Sequence, residues 1–434
     1  MHKKIGDSVL ALPDGFENIG WILIKGNSYT QLERKMEQIM NTLDIEVVPF
    51  KSSSAFGKTK RKNRFAPALL YRKKLRGAEK IEHIRAVSKN DLPHLHIGVA
   101  CNIYEDTESA VEKDLMSVGK NIQKTLIKRG YQVTFFDFNC IEKSFRALQR
   151  SNVDMVFNVC ERINGSSLLE PHAASLLDIL QIPYTGSNSQ TLALCIDKIR
   201  VKKLLSFHTI PTPKWDYVYD VSDPVRDDLH YPLIVKPANS DNSIGITNNS
   251  VVTNQKELKK QIEHTVLELS TPALIEEYIE GDEYDVSILG NEENDLQVLP
   301  LSRSIFTNMP KGYWHIYPYE AKWNADSAYK KIIIQRPANI SKKLASLITE
   351  VALDTYNILH CHDYGRVEIR VDKNGNPFVL ELNPNPSINI GDCVPNVAAI
   401  TGMDYGDFLE EIIKLAIKRY KDRPPYYHLQ TSII

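Results

Sequence analysis

The sequence predicts an α/β domain built on a parallel sheet, followed by an α+β region that ends in an antiparallel hairpin. Three observations carry this expectation. Between 94 and 190, apolar strand-like runs alternate with helical periods, the pattern of strands joined by crossover helices. Beyond 190, short apolar strands flank a polar loop in YPLIVKPANSDNSIGIT, residues 231–247. Finally, GRVEIRVDKNGNPFVLELN, residues 365–383, alternates its side chains on both sides of Asn374-Gly375, a two-residue turn signal. A chain of 434 residues also exceeds what one core supports.

The elements follow in order. GWILIKG, the capped helix SYTQLERKMEQIMNTL and IEVVPF make a small βαβ-like unit within the first 50 residues, and a run rich in Lys and Arg without acids covers 51–76. HLHIGVACN is a buried strand, and Leu115, Val118, Ile122 and Leu126 recur at helical spacing up to Gly130. YQVTFFDF, VDMVFNV and IPYTG read as further strands, with EPHAASLLDIL as the helix before the last. No GxGxxG follows the first strand, so a dinucleotide fingerprint is absent. SQTLALCIDKIRVKKLLSFH reads as one helix, PALIEEYIEGDEYDVSILG as strand, turn at Gly281 and strand, and Phe408, Ile412, Leu415 and Ala416 stripe a closing helix. The expected organisation is an extension with a basic linker (1–92), a parallel-sheet domain (93–190), a central subdomain (191–290), a C-terminal subdomain (291–422) and a tail (423–434).

A net charge of −1 argues against a chain devoted to nucleic acid. Six cysteines without a CxxC pair favour reduced thiols over a disulfide scaffold. Neither an export segment nor an apolar stretch of membrane-spanning length is evident, so the expectation is a cytoplasmic protein with no membrane partner.

The hairpin carries the chemistry. With Asn374 and Gly375 as the loop, Glu368 lies opposite Glu381 and Arg366 opposite Asn383, and all four share one face. Opposed carboxylates are unfavourable unless a cation or a proton sits between them. Two carboxylates and an amide oxygen suit Mg²⁺, which completes its shell with water and substrate phosphates. The alternative is a solvated hairpin whose charges repel weakly. No GxxxxGK[ST] is present, but Lys236 at a strand end and the polar loop through Gly245 can cradle phosphates. In LIEEYIEGDEYDV, the strand Leu274 to Tyr278 can offer backbone groups to an adenine edge, and Glu283 can accept from ribose hydroxyls.

Taken in order, IPYTGSNSQTLALCIDK, YPLIVKPANSDNSIG, LIEEYIEGDEYDVSILG, YPYEAKW and GRVEIRVDKNGNPFVLELNPNPS make the stretch from about 95 to 420 resemble the D-alanine–D-alanine ligase branch of the ATP-grasp superfamily. The resemblance implies two α+β subdomains that grasp ATP behind an N-terminal parallel-sheet domain. It implies that Lys198 and Lys236 hold phosphates under a loop containing Ser243 and Gly245. Glu276 and the Tyr278–Ile279 backbone would meet adenine, with Leu380 packed below it and Glu283 on the ribose. Glu368, Glu381 and Asn383 would ligate two Mg²⁺ ions, for which Mn²⁺ can substitute. Arg366 would stabilise an oxyanion, and Lys322 would reach the γ-phosphate or second substrate from a mobile loop.

Departures from that family fall on the amino-acid pocket. Trp323 follows the loop lysine where the family has Tyr, and Ser387 stands where a glycine would help the oxyanion hole. Asp392 stands near a serine that would meet the acceptor carboxylate, and an acid there favours a cationic or neutral acceptor. Glu112 and Asp114 are loose equivalents of an N-terminal acidic signature, and Glu161 and Glu170 are candidates for the carboxylate or amine pocket. The expected function is therefore ATP-dependent amide formation between a small carboxylate and an amine, an amino acid or peptide among them, through an acyl phosphate, in a homodimer. The alternatives are a ligase whose peptide, protein or carrier substrate docks on the N-terminal extension, a genuine D-alanine–D-alanine ligase, and a nonenzymatic nucleotide-binding regulator.

Overall fold

A computed structural model describes residues 24–26, 29–42, 80–104, 107–240, 243–291, 295–324 and 328–422. The chain divides into two compact units, Met1–Leu69 and Leu70–Ile434. The first contains the helix Tyr29–Thr42, where a helix was expected. Residues 24–26 are irregular, and the rest of the expected flanking strands, the basic run 51–76 and the tail 423–434 lie outside the described residues.

In the second unit, β1 (His96–Cys101), β2 (Gln132–Asp137) and β3 (Met155–Asn158) form a parallel sheet in the order β2-β1-β3. IPYTG is not the fourth strand that its composition predicts. It contributes a single parallel bridge, Tyr184 to Val156, because Pro183 has no N–H to continue the ladder. The helix Ala110–Lys128 buries Val118, Ile122 and Leu126 in the core of this sheet, together with Phe408, Ile412 and Ala416 of the C-terminal helix Tyr405–Asp422. Ile84, Val87 and Leu92 are buried in the same core. An extension reaching residue 92 is thus too long, since residues from about 80 onward pack with the body of the protein.

Two antiparallel sheets follow. One has the order β4-β7-β5-β6, with β4 Trp215–Val218, β5 Leu233–Pro237, β6 Val251–Val252 and β7 Ala273–Glu277. The other has the order β11-β10-β8-β12-β13, with β9 (Gln297–Val298) also paired to β8. Its strands are β8 Gly281–Gly290, β10 Ser302–Ile305, β11 Ile333–Gln335, β12 Asp363–Asp372 and β13 Pro377–Asn383. The expected hairpin about Gly281 does not form. β7 and β8 belong to different sheets, because β8 pairs along its whole length with β12, which places the subdomain boundary near 280 and not 290. Gly281 is required by this close pairing, since a Cβ there would collide with the Val371 carbonyl oxygen.

The helix expected over 189–208 is two, Ser189–Cys195 and Lys198–Phe207, and Asp197 caps the second by accepting from the Arg200 N–H. The break sets Lys198 at a helix start, where its own N–H donates to the Ala238 carbonyl.

Candidate active site

The β12–β13 hairpin pairs Arg366 with Asn383 and Glu368 with Glu381, as the sequence predicts, but by a different route. The loop is not the two residues Asn374-Gly375. The Asp372 N–H donates to the Asn376 carbonyl across it, so the loop has one residue more and shifts the register near the turn, where Val371 faces Pro377. An irregularity between Glu368 and Ile369 restores it. Leu380 is the unpaired residue of a β-bulge, and the bulge leaves Leu380 and Glu381 both on the wall of the same cavity.

That cavity, about 560 Å³, lies between the four-stranded and six-stranded sheets. Its wall includes Glu161, Glu170, Lys198, Lys236, Ser243, Glu276, Tyr278, Ile279, Glu283, Lys322, Arg366, Glu368, Leu380, Glu381, Asn383, Ser387 and Asp392, nearly every residue singled out from the sequence. Gly245 is not on it. At φ +79° it turns the loop against Pro237 and Leu269, where a Cβ would come within 2.8 and 2.7 Å of side-chain carbons. The Trp323 side chain lies outside the described residues.

At one end, Lys198 Nζ lies 3.0 Å from Glu381 Oε2 and donates to the Ser240 carbonyl at 2.6 Å. Lys236 Nζ lies 2.6 Å from Glu276 Oε2, and Glu276 Oε1 lies 2.6 Å from Lys202 Nζ. Glu276 is therefore not turned toward a base, as the resemblance implied. Its side chain is 1% exposed and serves as the shared counter-ion of two lysines. Its burial alone would raise its pKa, but Lys202 and Lys236 outweigh that and hold it below the ordinary value. Lys202 is pulled down by burial despite Glu276, and it also donates to the Val379 carbonyl, next to the bulge.

The segment 278–280 crosses between the sheets. The backbone of β7 is occupied by β4 and β5, and the Tyr278 N–H donates to the Pro232 carbonyl. Leu274–Glu277 therefore cannot serve an adenine edge. Among the described residues, the Ile279 N–H and the Tyr278 carbonyl remain for that purpose. Arg370 fixes the crossing by donating to the Ile279, Gly281 and His315 carbonyls and pairing with Glu283 at 2.9 Å. His315 belongs to a lid seated on the four-stranded sheet, where Ile316 packs with Ile234 and Val251 and the Tyr317 carbonyl accepts from Ser243 Oγ at 3.1 Å.

Glu368 Oε1 accepts from Arg366 Nη2 at 2.7 Å and from Asn383 Nδ2 at 2.9 Å. Burial, reinforced by the facing Glu381, raises the Glu368 pKa to about 7. Glu381 is held low: burial would raise it, but Lys198 wins. Among the described residues no group of three His, Cys, Asp or Glu is placed to hold a metal. The set here is two facing carboxylates and an amide, hard oxygen ligands of the kind Mg²⁺ takes when water and phosphate complete its shell, so the residues fit Mg²⁺.

Toward the other end, Ser387 Oγ donates to Asp392 Oδ2 at 2.5 Å, and the Asn389 N–H donates to the same oxygen. Asn385 donates to Glu170 at 2.9 Å. Of the two loosely matched N-terminal acids, Asp114 reaches the cavity and accepts from Asn389, whereas Glu112 instead accepts from Thr107. The sequence reading missed Lys202, Asp285, Arg336, Arg370 and Asn385. Of these, Asp285 had a usable signal, an acid on alternate positions with Glu283 in a strand.

A family model described as D-ala D-ala ligase C-terminus matches residues 203–414. A D-alanine–D-alanine ligase of Carboxydothermus hydrogenoformans is 30% identical over 75% of this chain and 99% of its own. The uncharacterized protein y4sG of Sinorhizobium fredii is 33% identical over 61% of this chain and 75% of its own. A crystal structure of the Bacillus anthracis D-alanine–D-alanine ligase complexed with ATP superposes with a TM-score of 0.59 at 25% identity, covering 76% of this chain and 99% of that one. The fold is that of an ATP-grasp carbon–nitrogen ligase. The chain belongs to the D-alanine–D-alanine ligase family.

Proposed function

We propose that the protein is an ATP-dependent carboxylate–amine ligase that joins a small carboxylic acid, amino acid or peptide to an amine, releasing ADP and phosphate. The observation that carries this reading is the single-face set Arg366, Glu368, Glu381 and Asn383, which shares one cavity with Lys198, 3.0 Å from Glu381, and Lys236. The crossing would hold adenine on the Ile279 N–H and Tyr278 carbonyl, with Leu380 as an apolar wall and Glu283 toward the ribose. Lys198 and Lys236 hold the phosphates. Glu368, Glu381 and Asn383 would hold Mg²⁺, two ions in the full complex, which when bound neutralises phosphate charge and orients the transferring group.

The chain's own residues then do the following. A substrate carboxylate oxygen attacks the γ-phosphorus and ADP leaves, with Lys198, Lys236 and Lys322 offsetting charge. The amine nitrogen attacks the acyl carbon while Arg366 donates to the developing oxyanion, and the intermediate collapses by expelling phosphate as the nitrogen loses a proton. The lid, held by Ser243 and Arg370, excludes the water that would hydrolyse the acyl phosphate. Glu161, Glu170, Asp392 and Ser387 shape the substrate pocket. The coverage of the Carboxydothermus ligase over 99% of its length favours D-alanine as an alternative substrate. An ADP-release assay crossing carboxylate and amine libraries decides between them: turnover only with D-alanine as both partners contradicts a divergent pocket. We propose further that the active protein is a cytoplasmic homodimer, which sedimentation of the full chain tests.

A further inference from the structure

A polar row runs across the six-stranded sheet beneath the cavity. In register, Glu381 of β13 faces Glu368 of β12, Glu368 faces Asp285 of β8, and Asp285 faces Ser302 of β10. Arg303 pairs with Gln335, so the next step along the β10–β11 ladder sets Arg336 opposite Ser302. Cross-strand partners share a face, and Asp285, Glu368, Glu381 and Arg336 all line the cavity.

Arg336 has the features of an anion anchor. Its Nε donates to Ser302 Oγ at 3.0 Å, and Ser302 is fully buried, so the plane of the guanidinium is set from behind. Among the described residues no hydrogen bond or ion pair takes its two terminal nitrogens, which leaves the fork that matches a carboxylate. Arg366 differs: it is held between Glu368 at 2.7 Å and Asp285 at 3.3 Å. Spacing separates the two tasks. Three strand steps of about 4.8 Å put Arg336 roughly 14 Å from Glu368 at the backbone. A carboxylate on Arg336 is therefore not the one activated beside Glu368. Asp285 lies between them, next to Arg366, where it can receive an amine.

Resting on the ligase reading above, we infer that Arg336 binds the carboxylate of an amino-acid acceptor, whose amine is received by Asp285 beside Arg366. The acceptor is then zwitterionic, with its carboxylate at the β11 edge. A zwitterionic acceptor differs from the cationic or neutral one expected from Asp392 alone.

The full-length protein, saturated with ADP and Mg²⁺, is titrated calorimetrically with D- and L-alanine, serine, lysine, aspartate and glutamate, and with the matching carboxamides. At least one free acid binds about 10-fold or more tighter than its amide. Arg336→Gln abolishes that preference, and Arg336→Lys, which keeps the charge without the fork, restores part of it. Loss of a desolvated charge pair corresponds to a weakening of roughly 30-fold or more. Unchanged melting and unchanged ADP affinity in the variants exclude misfolding. No acid preference, or the same preference in Arg336→Gln, overturns the inference. So does a preference for acids that serve only as carboxylate donors in the product. ADP release with amide products is scored separately: Arg336-dependent acid binding without any ATP consumption leaves this inference standing and defeats the ligase reading, and the converse defeats the inference alone.

Discussion

Replacing Glu276 by Gln tests whether the phosphate lysines are held by a buried counter-ion. Glu276 lies 2.6 Å from both Lys202 and Lys236, with Lys202 and Glu276 each 1% exposed and Lys236 12%. Removing one partner of such a group strands a buried charge, which costs about 3–5 kcal/mol. Lys202 can lessen that cost by giving up its proton, since burial already lowers its pKa. The variant Glu276→Gln should lose about 3 kcal/mol in urea unfolding and raise the KM for ATP, because Lys236 loses its fixed position. The double variant Lys202→Met/Glu276→Gln removes both deeply buried charges and should recover most of the stability while leaving the KM high. Equal stability of Glu276→Gln and the parent, or a double variant as unstable as the single, refutes the argument.

Three further outcomes are expected. Arg366→Ala should lower kcat by about two to three orders of magnitude with little change in the KM for ATP; equal losses in both would mean that Arg366 binds nucleotide. Deleting Leu380 removes the bulge but keeps Glu381 opposite Glu368, because Val379 then steps directly to Glu381, so Mg²⁺ affinity should persist while the KM for ATP rises with the loss of an apolar residue from the cavity wall. Glu368 gives a pH dependence. In the metal-free protein its raised pKa means the folded state holds a proton that the unfolded chain has released, so stability falls as pH rises from about 4.5 toward 7. Mg²⁺ affinity should rise across that same approach to pH 7, with release of a proton on binding seen by calorimetry in two buffers, and Glu368→Gln should abolish the proton release.

The parts of this site legible in the sequence are those governed by local period. Strand alternation puts Arg366, Glu368, Glu381 and Asn383 on one face whatever their surroundings. The turn length was misjudged and the bulge at Leu380 unseen, and the agreement at the Glu pair arises because the two shifts cancel. Parts decided by tertiary pairing were not legible. β7 and β8 look like a hairpin until β12 supplies β8 with a longer partner. Lys202 looks like one more helical lysine until Glu276 and the Val379 carbonyl surround it. Arg336, alone before a proline, acquires meaning only from the strand register that places it opposite Ser302.

The most direct test of the account is ATP turnover by Glu381→Gln. With a substrate pair found for the parent protein, ADP release should fall by at least about 100-fold, with Mg²⁺ affinity weakened in parallel and the fold retained. Undiminished ADP release at the parent's magnesium dependence would contradict the claim that this hairpin face binds the metal-nucleotide.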